Sequence, residues 1–142
     1  MIIKLTEKIK ETKIDNDKAM AEILTKILNT EQKADKMKEH FWGIYLNARL
    51  SIIKIELITL GILNANLVHP REVYAPALES RACSLIIAHN HPSGDIEPSE
   101  DDLEITKRLI EAGKILGIEL IEHLIITEKG FYFSFKRRGL IK

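Results

Sequence analysis

Leu85-Ile86-Ile87-Ala88 runs straight into His89-Asn90-His91-Pro92-Ser93-Gly94-Asp95-Ile96-Glu97-Pro98, and from there into Ser99-Glu100-Asp101-Asp102-Leu103. The four apolar residues read as a short central strand, the proline- and glycine-containing segment as a polar loop, and Ser99 as the start of a helix. Leu103, Leu109/Ile110 and Leu116 would line the buried side of that helix, and Gly117 would end it. A buried strand, a tight polar return and a helix are the parts of an α/β domain.

The same stretch carries chemistry. His89 and His91, one residue apart at the exit of a strand, point to one side because strand side chains alternate with period two. Both imidazoles can therefore reach one ion. Asp102, on the first turn of the returning helix, supplies a carboxylate as third ligand. Two imidazoles and one carboxylate leave a fourth tetrahedral position for water, the arrangement of a catalytic rather than a structural zinc. Such an ion lowers the pKa of its water from about 15.7 toward about 7. The competing reading of Asp102 is a capping box, Ser99-x-x-Asp102, in which the carboxylate serves only backbone donors. Asp101 is a fallback ligand, placed about 100° round the helix. The contiguous His-Asn-His is not an HNH nuclease motif, whose residues are spread over a longer span. The Gly94 loop lacks the length and the lysine of a phosphate-cradling loop.

Working outward, Ile118 to Thr127 and Phe131 to Phe135 read as two more strands (about 118–127 and 131–135) around a turn at Glu128-Lys129-Gly130. Upstream, Pro70 opens a helix of about ten residues, after a loop through Gly61 and Asn64-Ala65-Asn66. Phe41-Trp42-Gly43-Ile44-Tyr45-Leu46 is a buried-type strand and Asn47-Ala48-Arg49 a turn. Ser51 to Leu60 is a second strand, with Ile53, Ile55 and Leu57 on one face and Lys54 and Glu56 on the other. These two strands form a hairpin. Ala19, Ile23 and Ile27 mark an amphipathic helix over about 16–29, capped by Asp15 or Asp17. The expected fold is a single α/β domain over 39–142 with a mixed sheet flanked by helices, preceded by an extension over 1–38 that carries one helix.

Composition narrows the classes of function. The 142 residues hold 21 Lys+Arg and 21 Asp+Glu, so no overall charge argues for a nucleic-acid partner. Lys136-Arg137-Arg138 is the one basic cluster and reads as a solvated end. The single cysteine, Cys83, excludes an internal disulfide framework and a cysteine-ligated zinc; its place is a small buried residue at a strand start. No apolar stretch approaches membrane-span length, and the first residues lack a secretory pattern. The chain reads as cytoplasmic, with no membrane partner.

Set against known families, the chain resembles the JAMM (MPN+) metalloproteases. Their motif is His-x-His, seven residues, Ser, two residues, Asp, and His89, His91, Ser99 and Asp102 fit it. The longer run, with Thr106-Lys107-Arg108, Glu122-His123-Leu124-Ile125-Ile126 and the upstream His69-Pro70-Arg71-Glu72, is similar to the RadC branch over roughly residues 38–141. RadC proteins usually have Asp-His where this chain has Glu122-His123.

The resemblance implies one Zn2+ per chain on His89, His91 and Asp102, and a peptide or isopeptide amide as substrate class. It implies that Ser99 helps to hold the oxyanion of the tetrahedral intermediate. It also implies a glutamate at the start of an early buried strand that takes a proton from the metal's water and passes it to the leaving amine. Glu39 fits that place; Glu56 is its rival, although strand parity groups it with Lys54. His123 is either a partner that orients a ligand or a half-buried strand histidine. His40 points to the opposite strand face from Glu39 and takes no ligand role. A second reading of the resemblance is an accessory protein of DNA repair or of a mobile element, binding nucleic acid, with a non-catalytic metal site. Neutral charge, and about 38 residues where a helix-hairpin-helix segment would have to fit, weigh against it.

Overall fold

The computed structural model describes residues 2, 3, 9, 16–61 and 68–142. Asp15 and the Asn64-Ala65-Asn66 loop lie outside the described residues. The elements in chain order are β1 (Ile2–Ile3), α1 (Asp17–Asn29), α2 (Lys33–Lys36), β2 (Glu39–Leu46), β3 (Ile52–Gly61), α3 (Pro70–Glu79), β4 (Ser84–Asn90), α4 (Glu100–Leu116), β5 (Glu119–Ile126) and β6 (Tyr132–Ser134). The strands form one mixed sheet in the order β1-β3-β2-β4-β5-β6. Among the described strands only β4 and β5 run parallel, and α4 is the crossover between them.

Alternation along β2 builds the core on both faces of the sheet. Phe41 and Tyr45 face one way, with Leu85 and Ile87 of β4, and meet Val73, Tyr74 and Ala77 of α3 and Ile105 and Leu109 of α4. Trp42, Ile44 and Leu46 face the other way, with Ile86 and Ala88, and meet Met20, Ala21, Leu24 and Leu28 of α1. The sheet is thus sandwiched between helices, and its central strands are buried on both faces. Two tyrosines lock the α3–α4 layer: Tyr45 Oη donates to the Val73 carbonyl at 2.6 Å and Tyr74 Oη to the Leu109 carbonyl at 2.6 Å. The Tyr45 ring crosses Gly43 so closely that a Cβ there would lie 2.4 Å from Tyr45 Oη. Gly113 is equally constrained, with the Ile118 carbonyl oxygen 2.4 Å and Tyr74 Oη 2.5 Å from such a Cβ.

The α/β class and mixed sheet agree with the sequence expectation, and the differences are local. The α1 cap is Asn16, which accepts from the Ala19 N–H at 2.7 Å. Asp17 instead takes two hydrogen bonds from Arg137, at 2.8 and 2.7 Å, so the basic cluster is tied to α1 rather than merely solvated. The buried stripe of α1 is Met20, Ala21, Leu24 and Leu28, with Ile23 and Ile27 at its margin. In β3 the hairpin register skips Ile53 and Ile58, whose side chains therefore pack on the α3–α4 face while Ile55 and Leu57 pack on the α1 face. Strand β4 extends through His89 and Asn90, past the expected strand end at Ala88 and into the segment expected as loop. On α4 the inward line is Asp102, Ile105, Thr106, Leu109 and Gly113; Leu103 and Leu116 are 41% and 44% exposed. The helix is turned so that its first inward residue is a carboxylate. Cys83 is exposed, and Ala82 fills the buried place instead.

Candidate metal centre

The antiparallel pairing of β2 with β4 sets Phe41 opposite His89, and Glu39 is two residues before Phe41 at the start of β2. Alternation puts Glu39, Phe41, His89 and His91 on the α4 side of the sheet. Helix α4 starts there. Ser99 caps it by accepting from the Asp102 N–H at 3.1 Å, while Asp102 Oδ2 accepts from the Ser99 N–H at 2.9 Å. The capping box is therefore real. It does not exclude a ligand role, because the same carboxylate faces both histidines.

Asp102 Oδ1 lies 3.2 Å from His89 Nε2, Asp102 Oδ2 lies 3.2 Å from His91 Nε2, and the two Nε2 atoms are 3.0 Å apart. Ligands at about 2.0–2.1 Å from a tetrahedral ion stand roughly 3.3 Å from one another, so this triangle has the edges that a small divalent ion needs. His89 is fully buried and Asp102 nearly so, while His91 is half-buried. His91 Nδ1 donates to the Asp95 carbonyl at 2.6 Å, which leaves the Nε2 lone pair of the neutral ring toward the cluster. His89 Nδ1 meets His123 Nε2 at 2.8 Å.

The electrostatics fit a site that wants a cation. Burial opposes the charge on Asp102, but the facing His89 and His91 imidazoles and the Ser99 N–H hold its carboxyl far below the usual range. Burial likewise opposes charge on His91, yet Asp102, the Asp95 carbonyl and the negative charge of Glu39 together raise its pKa. A proton between His91 and Asp102 relieves one pair of facing lone pairs; a metal ion relieves all three.

Glu39, the first residue of β2, is thus close enough to act on His91. Glu56 sits on β3, one strand further out, where its carboxylate is 3.9 Å from Lys54 Nζ. Ser99 is exposed at the mouth of the cluster, and Asp101 is exposed. His40 is buried on the opposite face, stacked on Trp42. Glu122 is buried as well: burial raises its pKa, outweighing the hydrogen bonds it accepts from Ser134 Oγ and from the N–H groups of Lys136 and His123.

Two residues that position the site have no signal of their own in the sequence. Asn90, facing away from the cluster, accepts from the His40 N–H at 2.6 Å and donates to the Lys38 carbonyl at 3.1 Å, clamping the segment that carries Glu39. Asp95 acts through its backbone carbonyl, presented to His91 by a turn in which Gly94 takes φ +88°. Both roles depend on pairings remote in sequence or on main-chain atoms, so side-chain type does not reveal them.

Fold and cluster define an α/β domain with a His-His-Asp metal-binding constellation at the junction of a central strand and the following helix. The chain belongs to the RadC family: the model described as RadC-like JAB domain matches residues 14–140. It is 51% identical over 104 residues to a UPF0758 protein of Methanococcoides burtonii, covering 73% of this chain and 45% of that protein. It is 50% identical over 111 residues to a UPF0758 protein of Clostridium acetobutylicum, covering 78% and 48%. A UPF0758 protein of Caldanaerobacter subterraneus is 53% identical over 102 residues, covering 72% and 43%. The chain spans somewhat under half the length of these curated relatives. Among the described residues no helix is long and apolar enough to cross a membrane.

Proposed function

We propose that the chain is a zinc-dependent hydrolase of the JAMM type, acting on a peptide or isopeptide amide bond, with its domain over 39–142 and the helix of 1–38 as an extension. The observation that carries this reading is the convergence of His89 Nε2, His91 Nε2 and the Asp102 carboxylate within 3.0–3.2 Å, with the charge of Glu39 near enough to act on His91. Imidazole and carboxylate donors in this number suit a catalytic zinc, and a zinc ion held there supplies Lewis acidity and a water that gives up its proton near neutral pH.

The remaining work falls to the chain's own residues. Glu39, anchored through the Asn90 clamp, receives a proton at its carboxylate and returns it to the departing amine. Ser99 accepts from the Asp102 N–H, which leaves its own hydroxyl proton for an oxygen outside the helix. That proton is aimed to stabilise the negative charge developing on the substrate carbonyl oxygen. Phe41 stacks on the His89 ring, which is fully buried.

The test is the zinc-loaded chain incubated with a mixed peptide library and an isopeptide-linked conjugate, read by mass spectrometry, beside Glu39→Gln. Wild type should cleave, and Glu39→Gln should keep one zinc while losing about 10²- to 10⁴-fold in rate. A zinc-loaded wild type that cleaves neither bond type ends the hydrolase reading. An unchanged rate in Glu39→Gln moves the base to another residue.

A further inference from the structure

His123 is completely buried on the metal side of the sheet, at a position where sequence gave either an orienting or a purely structural role. It reaches that side because the β4–β5 register skips Ile121, which places His123 opposite Ile87, two pairs below His89 and on the same face. Its ring lies flat on Phe135, with centroids 4.2 Å apart. Both of its nitrogens are engaged, Nε2 by His89 Nδ1 at 2.8 Å and Nδ1 by Thr106 Oγ1 at 2.6 Å. Thr106 is itself buried on α4, one turn beyond Asp102.

The direction of each hydrogen bond follows from the last link. Thr106 Oγ1 lies 2.8 Å from the Asp102 backbone carbonyl, which can only accept, so the single hydroxyl proton points there. Toward His123 the hydroxyl must then accept, which puts the ring proton of His123 on Nδ1. A neutral His123 has a bare Nε2, which accepts from His89, so the His89 proton sits on Nδ1. The Nε2 of His89 is left as a lone pair aimed at Asp102 and His91. Reversing any link would set two protons or two lone pairs against each other inside the core.

We infer that His123 and Thr106 are positioning residues that fix the tautomer and ring orientation of His89, and that they tie that ring to the helix turn carrying Asp102. One buried chain, His89–His123–Thr106–Asp102, joins the β4 and α4 sides of the cluster from behind, in addition to the direct approach of Asp102 to the histidine Nε2 atoms. This rests on the reading of His89, His91 and Asp102 as metal ligands, although the tautomer is set in the metal-free protein as well. Groups behind a ligating histidine govern metal affinity by roughly 10- to 100-fold.

Thr106→Val keeps the shape and removes the acceptor for His123 Nδ1–H, while Thr106→Ser restores it. Two measurements are made on wild type and both variants: zinc affinity by competition with a chromophoric chelator, and ring tautomers by long-range proton–nitrogen-15 NMR of the metal-free protein at pH 8. Wild type should show Nδ1–H on His89 and His123. Thr106→Val should bind zinc about 10- to 100-fold more weakly and lose the uniform Nδ1–H state of His89; Thr106→Ser should return both. Nε2–H on His123 or His89 in wild type overturns the inference whatever the variants do. So does wild-type zinc affinity in Thr106→Val, or weakened binding with tautomers unchanged, which would make the threonine a packing residue. A wild type that takes up no zinc removes the metal reading alone, and the tautomers still decide the chain of hydrogen bonds.

Discussion

Asp102 is the residue on which two physical roles meet, and substitution can separate them. Its Oδ2 closes the α4 capping box with the Ser99 N–H at 2.9 Å, and both oxygens stand 3.2 Å from histidine Nε2 atoms. Asp102→Asn keeps an oxygen for Ser99 and places an amide N–H where Oδ1 faced His89 Nε2, a bare acceptor. The metal-free fold should therefore lose little, within about 1 kcal/mol. Asp102→Ala removes the cap bond, worth about 1 kcal/mol, which for a chain of this size is a fall in Tm of about 3 °C. Metal binding separates the roles in the other direction, because an amide is neither an anion nor a good zinc ligand. Both variants should lose more than the ~100-fold that disturbing a partner behind a ligand costs. Calorimetry of the metal-free proteins and chelator competition for zinc provide the two readouts. Wild-type zinc affinity in Asp102→Asn, with Asp102→Ala unstable, would refute the argument and leave Asp102 as a helix cap only.

Further outcomes follow from the same packing. Glu122 has its folded pKa raised above the ordinary 4.5, with burial as the chief cause, so the folded chain holds this proton after the unfolded chain has lost it. Its contribution to stability is complete below pH 4.5 and is lost as pH rises through the raised folded value. In thermal melts against pH, Glu122→Gln should gain on wild type across that window and then run parallel; a constant difference would contradict the burial argument. Gly113→Ala should cost about 1–3 kcal/mol in urea unfolding, because its Cβ meets the Ile118 carbonyl and Tyr74 Oη; a neutral substitution would mean that α4 is not held against Tyr74. Asn90→Ala should lower hydrolysis through Glu39 with one zinc still bound, since it frees the Lys38–His40 segment. Loss of zinc in that variant would show that Asn90 holds the ligands rather than Glu39.

Period-two spacing made the His-His-Asp cluster legible, since His89 and His91 share a face and the capping pattern placed Asp102 on the first turn beyond a short return. The α/β order was legible for the same reason, from buried strands punctuated by proline and glycine. Apolar alternation could not reveal where it breaks. Ile53, Ile58 and Ile121 read as ordinary strand residues, yet each is skipped in its register and changes which side chains share a face. The skip at Ile121 is what brings His123 to the metal side. Leu103 and Leu116 lie off the buried line because apolar spacing alone does not orient α4: the helix turns its Asp102–Thr106 line inward to meet three histidines. Thr106 looked like part of a family pattern and nothing more; its role lies in a hydroxyl shared between a carbonyl and a ring remote in sequence.

The most direct test of the account is zinc K-edge X-ray absorption on the chain loaded with one equivalent of zinc. The account requires a shell of nitrogen and oxygen atoms only, at about 2.0–2.1 Å, with outer scattering from two imidazoles, those of His89 and His91. A sulfur ligand at about 2.3 Å, which only the exposed Cys83 or a methionine could supply, or a shell with fewer than two imidazoles, would contradict it.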